Sequence, residues 1–209
     1  MEVHGTDPRA APFLEDDLDP DPFRQFERWF RDAQDAGIEL PEAAALATSG
    51  ADGAPSARMV LVKRFDESGF RFHTGYGSRK GRDLEENPRA ALVFYWHVLG
   101  RQVRVEGAVE RVPEEESAAY FATRPLESRL AAWASAQSEV IESREALDAR
   151  FEEASARFAG GDVPLPPHWG GFRLLPSELE FWQHRENRLH DRLRYRRADG
   201  DWVIERLAP

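Results

Sequence analysis

Hydrophobic positions along the chain follow two rhythms. Phe23, Phe26, Phe30 and Ala33 recur every three or four residues with Trp29 beside them, a spacing that predicts a helix. Asp21-Pro22 supplies a cap and a first-turn proline, and Gly37 supplies a stop. Period two then takes over. Residues 43–48 are apolar and run into Ala51-Asp52-Gly53, a hairpin signal; residues 56–65 and 69–74 predict two more strands. Residues 89–96, RAALVFYW, are almost continuously apolar and predict a strand buried on both faces. Over residues 101–112, Val103, Val105 and Val109 fall on one side, Gln102 and Arg104 on the other. Strands this closely spaced predict antiparallel pairing and a β-barrel.

Helical spacing returns in the middle. Pro113 followed by Glu114, Glu115 and Glu116 opens a helix, because acids favour the positive end of its dipole, and Pro125 ends it. Residues 126–133 predict a short helix and residues 143–158 a longer, charged one. After a loop containing Gly160-Gly161 and Pro164, Pro166 and Pro167, four strands are expected at 171–175, 179–183, 190–197 and 202–207. The architecture read from this pattern is mainly β with peripheral helices. Residues 1–20 form a proline- and acid-rich arm expected to be flexible, and 21–209 form a single domain.

Charge and composition narrow the function. A net charge of −10 over 209 residues argues against nucleic acid as partner. The absence of cysteine excludes disulfides and thiolate metal sites, and the six histidines lack metal-ligand spacing, so no metal is expected. No apolar run nears the ~18 residues of a membrane span. The polar N-terminus does not resemble a secretory leader, so no membrane partner and a cytoplasmic location are expected. Within this acidic chain, Arg185, Arg188, Arg192, Arg194, Arg196 and Arg197 cluster, which points to a small anionic ligand.

Candidate chemistry gathers at a few stretches. Trp182 lies just upstream of Arg188, Leu189, His190 and Arg192. An aromatic wall, planar guanidinium forks and an imidazole suit a flat anionic heteroaromatic, though an edge strand with solvated arginines explains the pattern equally well. Gly77-Ser78-Arg79-Lys80-Gly81 opens a helix whose free amides favour an anion, and the two cations there fit a phosphate better than a bare helix end. Arg58 and Lys63, five apart on a strand, face opposite ways. Tyr120 and Arg124 share a helix face, with Ser128 just beyond Pro125; they form either a second phosphate site or an exposed surface. Gln137 and Ser138 sit in a loop between helices and can donate to a ring carbonyl.

These stretches together resemble the pyridoxamine 5′-phosphate oxidase family. The matching segments are RMVLVK (58–63), GSRKG (77–81), RQVRVEG (101–107), YFATRP (120–125), WASAQS (133–138), HWGGFRL (168–174), EFWQ (180–183), RLHDRLRY (188–195) and IERLAP (204–209). They run in order over roughly nine-tenths of the chain. The resemblance implies an FMN-binding split β-barrel, homodimeric, with FMN at the subunit interface. It implies oxidation of pyridoxamine 5′-phosphate and pyridoxine 5′-phosphate to pyridoxal 5′-phosphate, with O2 as acceptor. Carried over by motif, the FMN contacts are Arg58, Met59, Val60, Leu61, Val62, Lys63, His73, Thr74, Arg79, Lys80, Gln102, Gln137, Ser138, Trp182 and Arg192. The substrate contacts are Lys63, Tyr120, Arg124, Ser128, Arg188, Leu189 and His190, with Arg188 and His190 as the catalytic pair.

Three features depart from the family pattern. His73 stands where an aromatic such as tyrosine is usual, His184 stands where a glycine is common, and the N-terminal arm lacks a basic, tyrosine-bearing segment. The rival readings are a flavin oxidase of the same fold acting on another ring, as in phenazine biosynthesis, and a non-catalytic flavin or pyridoxal-phosphate carrier.

Overall fold

The period-two segments pair into one continuous sheet. The computed structural model describes residues 12–209. Its strands are β1 (Ala43–Ser49), β2 (Pro55–Asp66), β3 (Gly69–Gly75), β4 (Arg89–Trp96), β5 (Arg101–Arg111), β6 (Trp169–Gln183), β7 (Asp191–Ala198) and β8 (Asp201–Arg206). Their order is β3-β2-β1-β4-β5-β6-β7-β8, and a further β3–β6 pairing closes the first six into an antiparallel barrel. Closure removes the unpaired edges that an open sheet of this size would expose. β7 and β8 continue outward from β6.

The helices are α1 (Pro22–Asp35), α2 (Arg79–Glu86), α3 (Glu114–Ala122), α4 (Leu126–Ala134) and α5 (Arg144–Arg157). The Asp21 carboxylate accepts from the Phe23 amide and caps α1, as its sequence predicts. The helix lays its apolar face against the inward side chains of the barrel. Phe26 is fully buried, its ring 4.7 Å from Phe65 and 4.9 Å from both Phe70 and Phe94. A second, smaller core joins α3, α4 and α5 through Phe121, Leu130, Ala134, Ala154 and Trp169.

Four expectations are corrected. The strands expected at 171–175 and 179–183 are one, β6. Pro176 sits where the β5–β6 register shifts between Glu106 and Gly107, and a bulge tolerates a residue without an amide proton. Gly107 permits this close approach, since a Cβ there would lie 1.9 Å from the Leu175 carbonyl oxygen. β4 is buried on one face only: Leu92, Phe94 and Trp96 point inward, while Tyr95 is 61% exposed. The arginines of β7 do not form a free basic cluster. Arg192 pairs with Glu180 at 2.8 Å, Arg194 with Glu178 at 3.3 Å and Glu205 at 2.5 Å, and Arg196 with Glu205 at 3.0 Å. The flexible arm was expected over 1–20; 1–11 lie outside the described residues, and the segment from 12 to 20, though largely exposed, is anchored at particular points. Phe13 is buried 4.9 Å from the Trp29 ring, and the Tyr195 hydroxyl donates to the Asp19 carbonyl at 2.5 Å. Among the described residues no helix is long and apolar enough to cross a membrane.

Candidate active site

β3 carries His73 and Thr74 to the rim of the barrel, where the chain turns into α2. Ser78 caps that helix, its hydroxyl accepting from the Gly81 amide at 3.3 Å. Gly81 is required here, because a Cβ would sit 2.1 Å from the Tyr76 carbonyl oxygen. The turn folds Lys80 inward while Arg79 stays exposed. Lys80 is only 7% exposed, and its ammonium donates to the hydroxyls of Thr74 at 3.0 Å and Ser78 at 3.3 Å. It has no carboxylate partner among the described residues, and burial, reinforced by the nearby Arg58 charge, pushes its pKa down. The Arg58 guanidinium donates to Thr48 Oγ1 at 2.7 Å and Ser56 Oγ at 2.6 Å, and lies 3.6 Å from Asp83. Thr74 Oγ1 and the Gly75 amide both donate to Gln137 Oε1, at 2.7 and 3.1 Å, which draws the loop after α4 onto the same rim. Ser138 follows with a left-handed backbone, φ 73°.

A cavity of about 340 Å³ opens beside this turn. Its walls include Met59, Val60, Leu61 and Lys63 from β2, His73, Thr74 and Lys80, then Tyr120, Arg124, Ser128, Gln137 and Trp169. α3 ends at Ala122 and Pro125 is the N-cap of α4, so the break between helices turns Tyr120, Arg124 and Ser128 toward one space. Arg124 lies 4.8 Å over the Trp169 ring, and its Nη1 is buried without a hydrogen-bond partner. His73 stacks at 3.9 Å on Tyr120 and 5.3 Å from Trp169, with both ring nitrogens buried and unpartnered. Burial first, then the Arg124 and Arg71 charges, pulls the His73 pKa down to about 4, so this imidazole is neutral. Lys63 lines the cavity but also pairs with Glu42 at 2.8 Å. Val62 turns its side chain into the core instead.

The remaining predicted residues sit elsewhere. Gln102, Trp182 and Arg192 form one row across β5, β6 and β7, and Tyr95 of β4 extends it. Arg192 is held by the buried Glu180 and by the Ala208 carbonyl at 2.9 Å. Arg188, Leu189 and His190 lie in the loop between β6 and β7, where Asn187 and Arg188 have φ of 57° and 61°. Arg188 is exposed and makes no hydrogen bond or ion pair among the described residues. The His190 ring lies 4.6 Å from Trp182 and 5.3 Å from His184. Along β6, Trp169 and Trp182 are separated by at most about 40 Å of chain at ~3.3 Å per residue, and neither Trp182 nor His190 lines the cavity. Within one chain, therefore, the cavity and the Trp182–His190 group are separate features.

The cavity suits an anion. A buried ammonium without a carboxylate and a buried guanidinium nitrogen without an acceptor are costly unless a ligand supplies negative oxygen. FMN and a phosphorylated pyridine each bring a phosphate, so the residues present fit both groups. Trp169, which backs Tyr120 and Arg124, and Glu42, which holds Lys63, were not singled out from the sequence. Trp169 stands inside the HWGG segment, but nothing local indicates that it stacks over another element. Glu42 has no motif at all.

The family model described as pyridoxamine 5′-phosphate oxidase matches residues 30–158. The pyridoxine 5′-phosphate oxidase C-terminal dimerisation region matches residues 169–209. A protein of Rubrobacter xylanophilus named pyridoxine/pyridoxamine 5′-phosphate oxidase is 59% identical over 199 residues, covering 95% of this chain and 92% of its own length. One of the same name from Gloeothece citriformis is 57% identical, covering 93% and 92%. The crystal structure of PhzG from Burkholderia lata, in complex with tetrahydrophenazine-1-carboxylic acid, superposes with a TM-score of 0.90 at 35% identity, covering 96% of this chain and all of that one. An FMN-binding protein of Nostoc punctiforme shares the fold, with a TM-score of 0.73 at 19% identity over 92% of this chain and all of its own.

Proposed function

Because the chain belongs to the pyridoxamine 5′-phosphate oxidase family, whose members are FMN-dependent oxidoreductases, we propose that it oxidises pyridoxine 5′-phosphate and pyridoxamine 5′-phosphate to pyridoxal 5′-phosphate. The observation that carries this reading is the convergence of Lys63, Tyr120, Arg124 and Ser128 on one cavity, with Arg124 Nη1 unsatisfied. Two cations, a phenol and a hydroxyl make a phosphate site, and a phosphate oxygen there satisfies the orphan donor. Lys63 then exchanges or shares Glu42. At the α2 turn, Arg58, Arg79, Lys80 and Ser78 would hold the FMN phosphate, with Gln137 and Ser138 available to its ring.

The Trp182–His190 group that completes this site comes from a second copy of the chain. The C-terminal segment that bears Trp182, Arg188, His190 and Arg192 matches a dimerisation region. Met59 and Leu61, 64% and 39% exposed beside the cavity, offer apolar surface for that contact. In the dimer, Arg188 covers the pyridine ring and His190 contacts the substituents at C4′. Bound FMN would supply a two-electron acceptor for oxidation at substrate C4′, with O2 as the final acceptor giving H2O2; the amine substrate would also consume water and release NH3. The protein's share is position and charge: the phosphate anchor fixes one end of the substrate, and the partner's loop closes over the other.

The PhzG likeness favours a second reading, an oxidase of a tricyclic carboxylate. The phosphate-binding quartet argues for the first. The test is an anaerobic mixture of FMN-loaded protein with pyridoxamine 5′-phosphate. Flavin bleaching, then recovery with peroxide on admitting air, is the expected result. Bleaching by a reduced phenazine carboxylate but not by the phosphorylated pyridine establishes the second reading, and a flavin that stays oxidised with both leaves a carrier.

A further inference from the structure

The loop that carries His190 is tied at both ends to one carboxylate. Asp191, the first residue of β7, is largely buried, its side chain 14% exposed. Its Oδ2 accepts from the Phe13 amide at 3.1 Å and lies 3.6 Å from Arg185 Nε. Its Oδ1 accepts from Arg206 at 2.8 Å, and Arg206 also binds Glu15 through two 2.8 Å hydrogen bonds. One carboxylate thus joins the N-terminal segment, the end of β8 and the start of the loop. Inside the loop so closed, the Arg185 amide donates to His190 Nδ1 at 3.1 Å.

An imidazole nitrogen that accepts a hydrogen bond carries no proton, and in the neutral ring the proton then sits on the other nitrogen. We propose that Asp191 is a positioning residue: by pinning the 185–190 loop it holds the Arg185 amide against Nδ1 and fixes His190 as a neutral imidazole that offers Nε2–H outward. His190 is then a hydrogen-bond donor to substrate and does not serve as its base through Nδ1. The groups facing the ring act in the same sense. Partial burial first, then His184 and Arg188, disfavour a positive charge on the ring, while Asp191 is already occupied by Arg206, Arg185 and the Phe13 amide. Trp182 adds an apolar wall at 4.6 Å. The assignment to substrate contact rests on the proposed function; the lock itself does not.

The test is nitrogen-15 NMR of histidine side chains in the FMN-loaded protein across pH 5–9, with His190→Asn identifying the His190 signals. The expected spectrum shows a single neutral tautomer protonated at Nε2. Asp191→Asn is expected to give mixed tautomers and to raise the His190 titration midpoint on the order of one pH unit, a tenfold change in proton affinity. Asp191→Glu restores the wild-type signature in part. Arg185→Ala keeps the amide but removes the tie to Asp191, and shows the same change in a chain whose carboxylate network is otherwise intact. A wild-type His190 protonated at Nδ1, or spectra of Asp191→Asn and Arg185→Ala identical to wild type, overturns the proposal. A locked tautomer in a protein that does not bleach with pyridoxamine 5′-phosphate overturns the proposed substrate and leaves the lock standing.

Discussion

At the scale of single residues, the informative groups are the buried polar ones whose partners are missing. His73 is the clearest. Its pKa is about 4 in the folded chain and near 6.5 when unfolded. Between those values the unfolded chain binds more protons, so His73 contributes stability at neutral pH that is lost as pH falls from 6.5 toward 4. The full loss is about 3 kcal/mol. His73→Phe keeps a ring against Tyr120 and removes the titration. Urea unfolding at pH 6.5 and 4.5 should therefore show a smaller pH penalty in the variant; an unchanged penalty assigns the effect elsewhere. Lys80 makes the opposite argument about function. Replacing a desolvated cation with Lys80→Met should stabilise the FMN-free protein, because the burial cost disappears. It should also weaken FMN binding about ten- to a hundredfold, the worth of a hydrogen bond to a charged group. Thermal melting and flavin titration of the same sample read both.

At the scale of elements, the outer face of β5, β6 and β7 is organised by Glu180, 2% exposed between Arg104 and Arg192. Both arginines keep some contact with water, so removing the charge costs less than for a fully buried pair. Glu180→Gln is expected to lose about 2 kcal/mol in urea unfolding. It should also loosen Arg192 in the row with Trp182. A variant as stable as wild type with unchanged flavin affinity would show that the ladder is solvated and carries neither role.

At the scale of the whole molecule, the proposed function has the Trp182–His190 group of one chain complete the cavity of another, and on that reading the dimer is a functional requirement. Arg124→Ala removes one half and Arg188→Ala the other, so each homodimer should be nearly inactive. Refolding them together should restore about a quarter of wild-type turnover, since half the dimers are mixed and each holds one intact site. Two variants that remain inactive when mixed, with mixed dimers verified by mass spectrometry, would place both residues in one chain's site.

The sequence by itself determined the local elements and the chemical types at the cavity. Period two marked the strands, Asp21 announced its cap, the GSRKG segment its helix start, and the proline break after Arg124 foretold that Tyr120, Arg124 and Ser128 could meet, because these are short-range properties of the chain. Tertiary structure alone decided the rest. It neutralised Arg192, Arg194 and Arg196 of β7, because Glu178, Glu180 and Glu205 reach them across strands in a register no local pattern encodes. It fused two expected strands into β6 through a bulge opposite Gly107. It fastened residue 13 to residue 191 through one carboxylate. Pairing partners distant in sequence are chosen by the closure of the barrel, and the charge state and company of each side chain follow from that choice.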